Sequence, residues 1–198
     1  MSVVPIKRQG AWQPVAALVL IGSGLAILGY CAFIRADSWI FQRREGRELT
    51  HSAQTTSPTG RAAPAPSGIV GRITIARLGL AAVITEGAGE TVLRRAVGHV
   101  PGTALPGQPG NVGLAGHRDT FFQPLKDVRL NDIIVLATDG GEFCYRVVST
   151  KIVDPRSVEV LDPTVGETLT LVTCYPFRYI GAAPNRFIVR AERIRLHS

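Results

Sequence analysis

The chain has 198 residues, of which 45% are hydrophobic, so it can form one ordinary domain with a tail or an anchor but hardly two full cores. Its net charge of +7 comes from 22 basic and 15 acidic side chains. From Gly68 onward the balance is closer, with 15 basic and 12 acidic side chains. This balance, together with the lack of a lysine-rich run or zinc-ligand spacing, argues against a nucleic-acid-binding protein. The high net charge of the whole chain is better explained by arginines that flank a membrane-spanning segment.

Residues 14–34 form an uninterrupted segment of 21 residues without a charged side chain, which is enough to span a bilayer as one helix. No small-residue cleavage site follows it, so the sequence favours an uncleaved signal-anchor over a cleaved signal peptide. Residues 1–13 are then a short cytoplasmic N-terminus. Arginines after the span oppose the positive-inside rule, but the short basic start and the long following domain favour a domain outside the cytoplasmic membrane.

Residues 35–67 are rich in Ser, Thr, Pro, Ala and Arg and contain few bulky apolar side chains. Such a composition cannot bury enough surface to offset the entropy lost on ordering. It therefore predicts a juxtamembrane segment and flexible linker, followed by a globular domain over residues 68–198.

This globular domain is dominated by short β-rich runs between Gly and Pro residues, which predicts a sheet sandwich or barrel. Glu90–Val97 is the best internal helix, and the segments FFQPL and PRSVEVL are candidate single turns. The run Asp139-Gly140-Gly141 has the turn chemistry of a hairpin. Long helices do not alternate with the strands, which disfavours a doubly wound α/β fold. The predicted strands are GRITIARL, AAVITEG, NVGLAGH, DIIVLAT, EFCYRVVSTKIV, TLTLVTC and RFIVRAERI.

Two cysteines lie in the globular domain, and their simplest interpretation is a disulfide or two small buried side chains. Cys144 sits in the middle of a predicted strand, where a structural role is expected. Cys174 differs because the apolar strand TLTLVTC ends at it, so the thiol emerges where the strand stops. Pro176 cannot continue the ladder, which leaves the following loop free to form a groove wall. Cys174 is therefore a candidate nucleophile, if a nearby cation favours its thiolate.

His117 and Arg186 are the candidates to assist this thiol. His117 follows the short apolar strand NVGLA, and an imidazole can move protons near neutral pH. Arg186 opens the final strand after the loop that begins at Cys174, so a hairpin would return it beside the thiol. Its guanidinium keeps its charge and can donate to a developing oxyanion. A strand-end Cys, a strand-end His and a strand-start Arg in one small β domain together indicate a catalytic site.

The sequence around these residues resembles the sortases, which are cysteine transpeptidases of bacterial surfaces. The family pattern Thr-Leu-x-Thr-Cys is matched by the run TLVTC that ends at Cys174, the catalytic histidine by Ala115-Gly116-His117, and the arginine by Arg186. The stretches GHRDTFF, TCYPF and GHVPGTALPGQPGN are most similar to class D sortases. The similarity extends from about Gly68 to Ile194.

The resemblance implies a mostly β fold, a closed eight-stranded barrel with short helices behind one N-terminal transmembrane helix. It implies that Cys174 attacks a Leu-Pro-x-Thr-Gly/Ala-like sorting signal after Thr, that His117 acts as general acid and base, and that Arg186 stabilises the oxyanion or the substrate. The thioester would pass to an amine such as a cell-wall precursor or a pilin lysine. Thr173 and Tyr175, which flank the cysteine, are expected to contact the substrate.

The resemblance also implies a single-pass protein of the bacterial cytoplasmic membrane that acts on surface proteins carrying the signal. No metal or other cofactor is expected, because the acidic residues are scattered and expected to be solvated instead of forming a calcium loop. Asp119 could orient Arg118 or line the groove, or the two side chains could form a plain surface pair. The scattered acidic residues are Glu86, Glu90, Asp127 and Asp132.

Two alternatives to the transpeptidase stay open from the sequence. One is a thiol endopeptidase whose acyl-enzyme passes mainly to water. The other is an anchored, non-catalytic scaffold in which Cys144 and Cys174 form a disulfide.

Overall fold

The structure is a computed structural model that describes residues 18–30, residue 32 and residues 68–195. The chain divides into two compact units, Met1–Trp39 and Ile40–Ser198. In the first unit, residues 18–30 form a helix whose large apolar side chains are exposed.

Within the described ranges, no helix combines the length and the hydropathy that a membrane crossing requires. The predicted span of residues 14–34 is described only in part, because residues 14–17, 31 and 33–34 lie outside those ranges. The predicted linker, residues 35–67, also lies outside them.

The described residues of the second unit, 68–195, form eight strands, which confirms the mostly β class. They are β1 (Ile69–Ile75), β2 (Leu80–Glu86), β3 (Val97–His99), β4 (Asn111–Ala115), β5 (Ile133–Thr138), β6 (Gly141–Val153), β7 (Thr168–Tyr175) and β8 (Asn185–Ile194). They close into a barrel in the order β1-β2-β3-β4-β7-β8-β6-β5. The pairs β2–β3 and β4–β7 are parallel and the other six pairs are antiparallel. The closed eight-stranded barrel implied by the resemblance is therefore confirmed.

The core fills the inside of the barrel because alternate side chains of each strand point inward. In β1, for example, Ile73 and Ile75 are fully buried, whereas Arg72 and Thr74, which alternate with them along the strand, are only half-buried. Each such side chain contributes roughly 1.5–3 kcal/mol when it leaves water. Fully buried side chains from the other strands include Ile84, Val97, Leu114, Leu136, Tyr145, Leu171 and Val189. A packed interior of this kind makes β4, β7 and β8 a rigid platform.

The predicted helix Glu90–Val97 is too long. The structure has one helical turn, Glu90–Leu93, after which the chain enters β3. This strand is stabilised by partners distant in sequence, because it pairs with β2 on one side and β4 on the other. At Gly98 a Cβ would lie 2.2 Å from the carbonyl oxygen of Gly87, so only glycine fits there. These contacts between distant segments end the helix earlier than the local sequence indicates.

The other local predictions are confirmed. The segment PRSVEVL contains the 3-10 helix Val158–Leu161, and the segment FFQPL overlaps the 3-10 helix Gln123–Asp127, which extends two residues beyond it. Thr138 pairs with Gly141 across the two-residue turn Asp139-Gly140, which gives the predicted hairpin between β5 and β6.

Candidate active site

The three candidate catalytic residues lie at the ends of three neighbouring strands, because β7 stands between β4 and β8 in the barrel. β4 and β7 are parallel, so their C-terminal ends meet at one edge, and β8 begins there because it runs antiparallel to β7. Cys174 on β7 is paired with Arg186 on β8 in the strand register. The predicted return of Arg186 to the side of the thiol is therefore confirmed.

His117 follows the end of β4, and two hydrogen bonds hold its segment against β7. The Gly116 N–H donates to the Val172 carbonyl over 3.1 Å. The Thr173 hydroxyl donates to the Gly116 carbonyl over 2.7 Å. Since adjacent strands lie about 4.8 Å apart, this continued register brings His117 level with Cys174 on the neighbouring strand end.

The chain turns sharply after His117, and the turn is fixed from inside the barrel. The His117 carbonyl accepts hydrogen bonds from the N–H groups of Thr120 (3.4 Å) and Phe122 (3.1 Å). Phe122 is fully buried, and its ring lies so close to Gly116 that a Cβ there would be 2.8 Å from Cδ2. Glycine is therefore needed before the histidine, because a side chain would displace the ring that anchors the turn.

Cys144 and Cys174 are both free thiols. Cys144 is buried on β6 with 8% of its surface exposed, whereas Cys174 is partly exposed at the end of β7. The scaffold alternative required a disulfide between these two residues, and the free thiols overturn it. Of the described cysteines, Cys174 is the one that a substrate can reach.

The Arg186 guanidinium is half-buried and contacts the main chain at the start of its own strand. Its Nη1 donates to the carbonyls of Asn185 (3.1 Å) and Ala183 (3.5 Å). Among the described residues, no hydrogen bond engages its Nε or Nη2. The side chain is thus held beside Cys174 and keeps donors for a further acceptor.

Glu90 faces the imidazole from the helical turn that precedes β3. Its Oε2 lies 3.8 Å from Nε2 of His117, and its Oε1 lies 3.3 Å from Nε of Arg94. The Glu90 side chain is 64% exposed, so solvent weakens its attraction to a protonated imidazole. Glu90 is a neighbour of the site without a hydrogen bond to it.

An aromatic cluster surrounds the residue after the cysteine. The Tyr175 ring stacks on Phe187 with centroids 6.3 Å apart and meets Phe177 edge-on at 6.1 Å, while Phe177 and Phe187 are 5.3 Å apart. Tyr175 is partly exposed, whereas Thr173 is 2% exposed and uses its hydroxyl internally. Of these two predicted substrate contacts, only Tyr175 presents side-chain surface.

Comparison with known proteins decides the family. Residues 73–194 match the family described as the Sortase domain. The chain belongs to the sortase family. Sortase D of Bacillus subtilis (strain 168) is 31% identical over 196 residues, covering 92% of this chain and 99% of that protein. Sortase SrtE1 of Streptomyces coelicolor is 29% identical over 89% of this chain and 59% of that protein.

Solved sortase structures share this barrel. The Sortase D5 transpeptidase of Clostridium perfringens superposes with a TM-score of 0.63 at 25% identity, covering 81% of this chain and 99% of that one. A sortase E variant of Streptomyces avermitilis is 35% identical, with a TM-score of 0.55 over 65% of this chain and 89% of that one. Sortases are cysteine transpeptidases, and relatives named Sortase D and Sortase D5 agree with the resemblance to class D.

Arg118 lies beside the candidate active site, and sequence reasoning missed its role there. The expected partner Asp119 is exposed, and the Arg118 guanidinium instead donates to carbonyls of Pro176, Tyr179 and Gly181 in the loop after Cys174. The signal that could have located it is its position directly after the candidate histidine.

Two acidic residues that we expected to be solvated are paired. Asp132 is 7% exposed, and Arg77 donates to both of its oxygens. This hydrogen bonding from Arg77 lowers the pKa of the Asp132 carboxyl. Glu86 Oε2 lies 2.7 Å from Nδ1 of His99, a histidine that is 2% exposed. Over the described parts of the chain, no group of three or more His, Cys, Asp or Glu side chains could hold a metal ion.

Proposed function

We propose that this sortase is a membrane-anchored transpeptidase that cuts a Leu-Pro-x-Thr-Gly/Ala-like sorting signal after Thr and transfers the acyl chain to an amine. The observation that carries the proposal is the placement of Cys174, His117 and Arg186 at three adjacent strand ends of the barrel. The substrates are surface proteins that carry the signal. The acceptor is an amine such as that of a cell-wall precursor or a pilin lysine.

The chemistry is acyl transfer in two steps. The Cys174 thiolate attacks the threonine carbonyl carbon, the C–N bond breaks, and His117 gives its proton to the leaving amine. A thioester on Cys174 results. The incoming amine then attacks this thioester, the C–S bond breaks, and His117 takes a proton from the new amide nitrogen.

Arg186 stabilises the oxyanion that forms in both steps, or the substrate backbone beside it. Its hydrogen bonds to Ala183 and Asn185 use Nη1 alone, which leaves Nε and Nη2 for a substrate oxygen. Donors aimed at a developing oxyanion contribute a large share of the rate enhancement of acyl transfer.

Tyr175 and Thr173 support the substrate in different ways. Tyr175 offers a partly exposed ring supported by Phe177 and Phe187, which suits an apolar or main-chain contact with the peptide. The Thr173 side chain is buried, so we assign it a structural role, in which it aligns β7 with the His117 segment.

The test incubates the full chain in detergent micelles with Leu-Pro-x-Thr-Gly and Leu-Pro-x-Thr-Ala peptides and triglycine, and identifies products by mass spectrometry. Cys174→Ala is expected to abolish both cleavage and ligation. Cys144→Ala is the matched control, because it removes the other described thiol from a buried position on β6 and is expected to keep activity.

Each outcome of this test is informative. A ligated product that requires Cys174 supports transpeptidation and ranks the two motifs. Cleavage that requires Cys174 but goes only to water replaces the proposal with the thiol endopeptidase. Full cleavage by Cys174→Ala would overturn the assignment of the nucleophile.

We propose further that residues 14–34 anchor the chain in the cytoplasmic membrane, with the barrel on the outer side. The helix at residues 18–30, with its exposed apolar side chains, supports an anchor within this segment. The full chain is expected in the membrane fraction after a carbonate wash, and an external protease is expected to digest the barrel in cells stripped of their wall. A full chain recovered in the soluble fraction would contradict the anchor, and full protection from the protease would contradict the orientation.

A further inference from the structure

The loop between β7 and β8, residues 176–184, connects Cys174 to Arg186 and is poorly supported by its own backbone. Among the described residues, no backbone–backbone hydrogen bond has its donor or acceptor in this β7–β8 loop. Tyr179 is 50% exposed and Ile180 is fully exposed at its tip. The path of the loop must therefore be set by side chains from elsewhere in the domain.

One side chain supplies most of that support. Arg118 Nη1 donates to the Pro176 carbonyl over 2.9 Å, and its Nη2 donates to the carbonyls of Tyr179 (3.0 Å) and Gly181 (3.1 Å). Its guanidinium carbon also lies 5.8 Å from the centre of the Tyr179 ring, within the range of a cation–π interaction. A single guanidinium thus binds the loop near its start, at its tip and just beyond the tip.

These contacts connect the surroundings of the three candidate catalytic residues through the β7–β8 loop. Arg118 is the residue after His117, and the loop that it binds begins two residues after Cys174. On the other side of the loop, Arg186 binds the Ala183 carbonyl. The loop is therefore held between two guanidinium groups, one beside the histidine and one opposite the cysteine.

We propose that Arg118 is a positioning residue that fixes the β7–β8 loop against the His117 turn and so sets the spacing of His117, Cys174 and Arg186 during turnover. This inference rests on the proposed function of the site. It assigns Arg118 no contact with the substrate. Because all three hydrogen bonds go to main-chain carbonyls, Arg118 selects the path of the loop and leaves its side chains free to vary.

The geometry requires arginine at this position. The three acceptors are reached from two nitrogens of one planar group, and a guanidinium presents five donors in a fixed fork. A lysine ammonium is a single point on a flexible stem and cannot reproduce the fork.

The first experiment compares Arg118→Ala, Arg118→Lys and the control Arg146→Ala, which removes the same charge from an exposed position on β6. In the full chain, Arg118→Ala is expected to lower kcat for ligation by roughly 10- to 100-fold with little change in KM, because the reacting groups and not the peptide are displaced. Arg118→Lys is expected to recover only a small part of the loss. Arg146→Ala is expected to match the wild type.

Chemical rescue distinguishes positioning from general damage to the fold. Millimolar guanidinium chloride is expected to restore part of the kcat of Arg118→Ala, whereas the same concentration of sodium chloride is not. Thermal unfolding of Arg118→Ala is expected to stay close to the wild type, because its contacts lie on a surface loop outside the barrel core.

The second experiment needs no activity, because the loop carries its own reporter. Arg178 is exposed within the β7–β8 loop, so trypsin can cut after it once the loop is released. Trypsin is expected to cut the peptide bond after Arg178 faster in Arg118→Ala than in the wild type or in Arg146→Ala. Mass spectrometry of the new chain ends measures this cleavage.

The outcomes separate this inference from the proposed function. If wild-type ligation depends on Cys174 but Arg118→Ala keeps wild-type kcat and the wild-type rate of cleavage after Arg178, the positioning role is wrong and the transpeptidase stands. If the wild type forms no Cys174-dependent product, the proposed function fails, and the protease experiment alone decides whether Arg118 holds the loop. A loss of kcat with no change in loop cleavage and no guanidinium rescue also overturns the positioning role.

Discussion

The Thr173 hydroxyl donates a 2.7 Å hydrogen bond to the Gly116 carbonyl, and so joins the residue before the cysteine to the residue before the histidine. The last paired residues of β4 and β7 are Ala115 and Val172, so this bond lies one residue beyond the paired region. It continues the attachment between the two strands at the point where the active site begins.

Thr173→Val keeps the shape of this side chain and removes its hydroxyl. The Gly116 carbonyl then loses a buried donor, which is expected to cost roughly 1–3 kcal/mol of unfolding free energy. Turnover is expected to fall as well, because the His117 segment loses a link to β7. Thermal unfolding and kcat/KM measure the two effects, with Thr150→Val at an exposed position of β6 as control. Wild-type values of both quantities for Thr173→Val would contradict the importance of the link.

Gly116→Ala tests the close packing under the histidine. The added carbon would lie 2.8 Å from the ring of Phe122, and this buried ring cannot move without disturbing the core. A loss of roughly 1–3 kcal/mol in unfolding free energy is expected, together with lower kcat because the His117 turn shifts. Gly166→Ala, where the new carbon meets nothing within 4 Å, is expected to resemble the wild type. Equal melting temperatures for the two variants would show that the ring yields easily.

The pairing of Arg77 with Asp132 predicts that the stability of the fold decreases at low pH. Hydrogen bonding from Arg77 lowers the pKa of Asp132 below its ordinary value of 3.8, so the carboxylate stabilises the fold above about pH 4. That contribution is lost as the pH falls through the lowered pKa. Arg77→Gln is expected to lower the melting temperature by several degrees at pH 7 and by less at pH 3, whereas Arg146→Gln is expected to change neither. An equal decrease at both pH values would rule out the ionic contribution.

The stability of the fold is expected to decrease at high pH because of Tyr145. Its hydroxyl is buried without a hydrogen-bond partner of normal geometry among the described residues. Burial raises its pKa from 10.0 to about 12, although the Arg193 cation acts in the opposite direction and offsets part of the rise, while the Glu167 carboxylate adds to it. Between these values the unfolded chain releases the proton and the folded chain keeps it. The free energy of unfolding is therefore expected to fall by roughly 2 kcal/mol as the pH rises from 10 to 12.

Tyr145→Phe removes this titration. It is expected to leave the unfolding free energy at pH 7 within about 1 kcal/mol of the wild type, because no hydrogen bond is lost. Its advantage over the wild type is expected to grow above pH 10 in denaturant titrations. A constant difference between the two proteins across pH 9 to 11 would disprove the raised pKa.

The sequence was sufficient to predict the residues whose signal is local. The run TLVTC ends an apolar strand, and the barrel contains a strand that ends one residue later. Arg186 opens the last strand and pairs with Cys174, as a simple hairpin requires. Seven of the eight strands were predicted for the same reason, since each carries its own run of β-branched and apolar residues.

The features that were missed depend on partners distant in sequence. β3 has only three residues, Val97–His99, and is a strand because β2 and β4 lie on either side of it. In the sequence, Asp132 has the features of a surface residue, because its partner Arg77 lies 55 positions away and is brought to it only by the fold. Arg118 reaches carbonyls 58 to 63 positions further along the chain. No window of local sequence contains both members of these pairs.

The hairpin at Asp139-Gly140 lies at the far end of β6 from the chemistry. Val153, at the other end of this 13-residue strand, pairs with Arg186, and at about 3.3 Å per residue the strand spans roughly 40 Å. A fluorophore or an immobilisation handle inserted between Asp139 and Gly140 would therefore sit well away from arriving peptides. The enzyme could be fixed to a bead by this turn with the strand ends that carry Cys174 and Arg186 facing the solution.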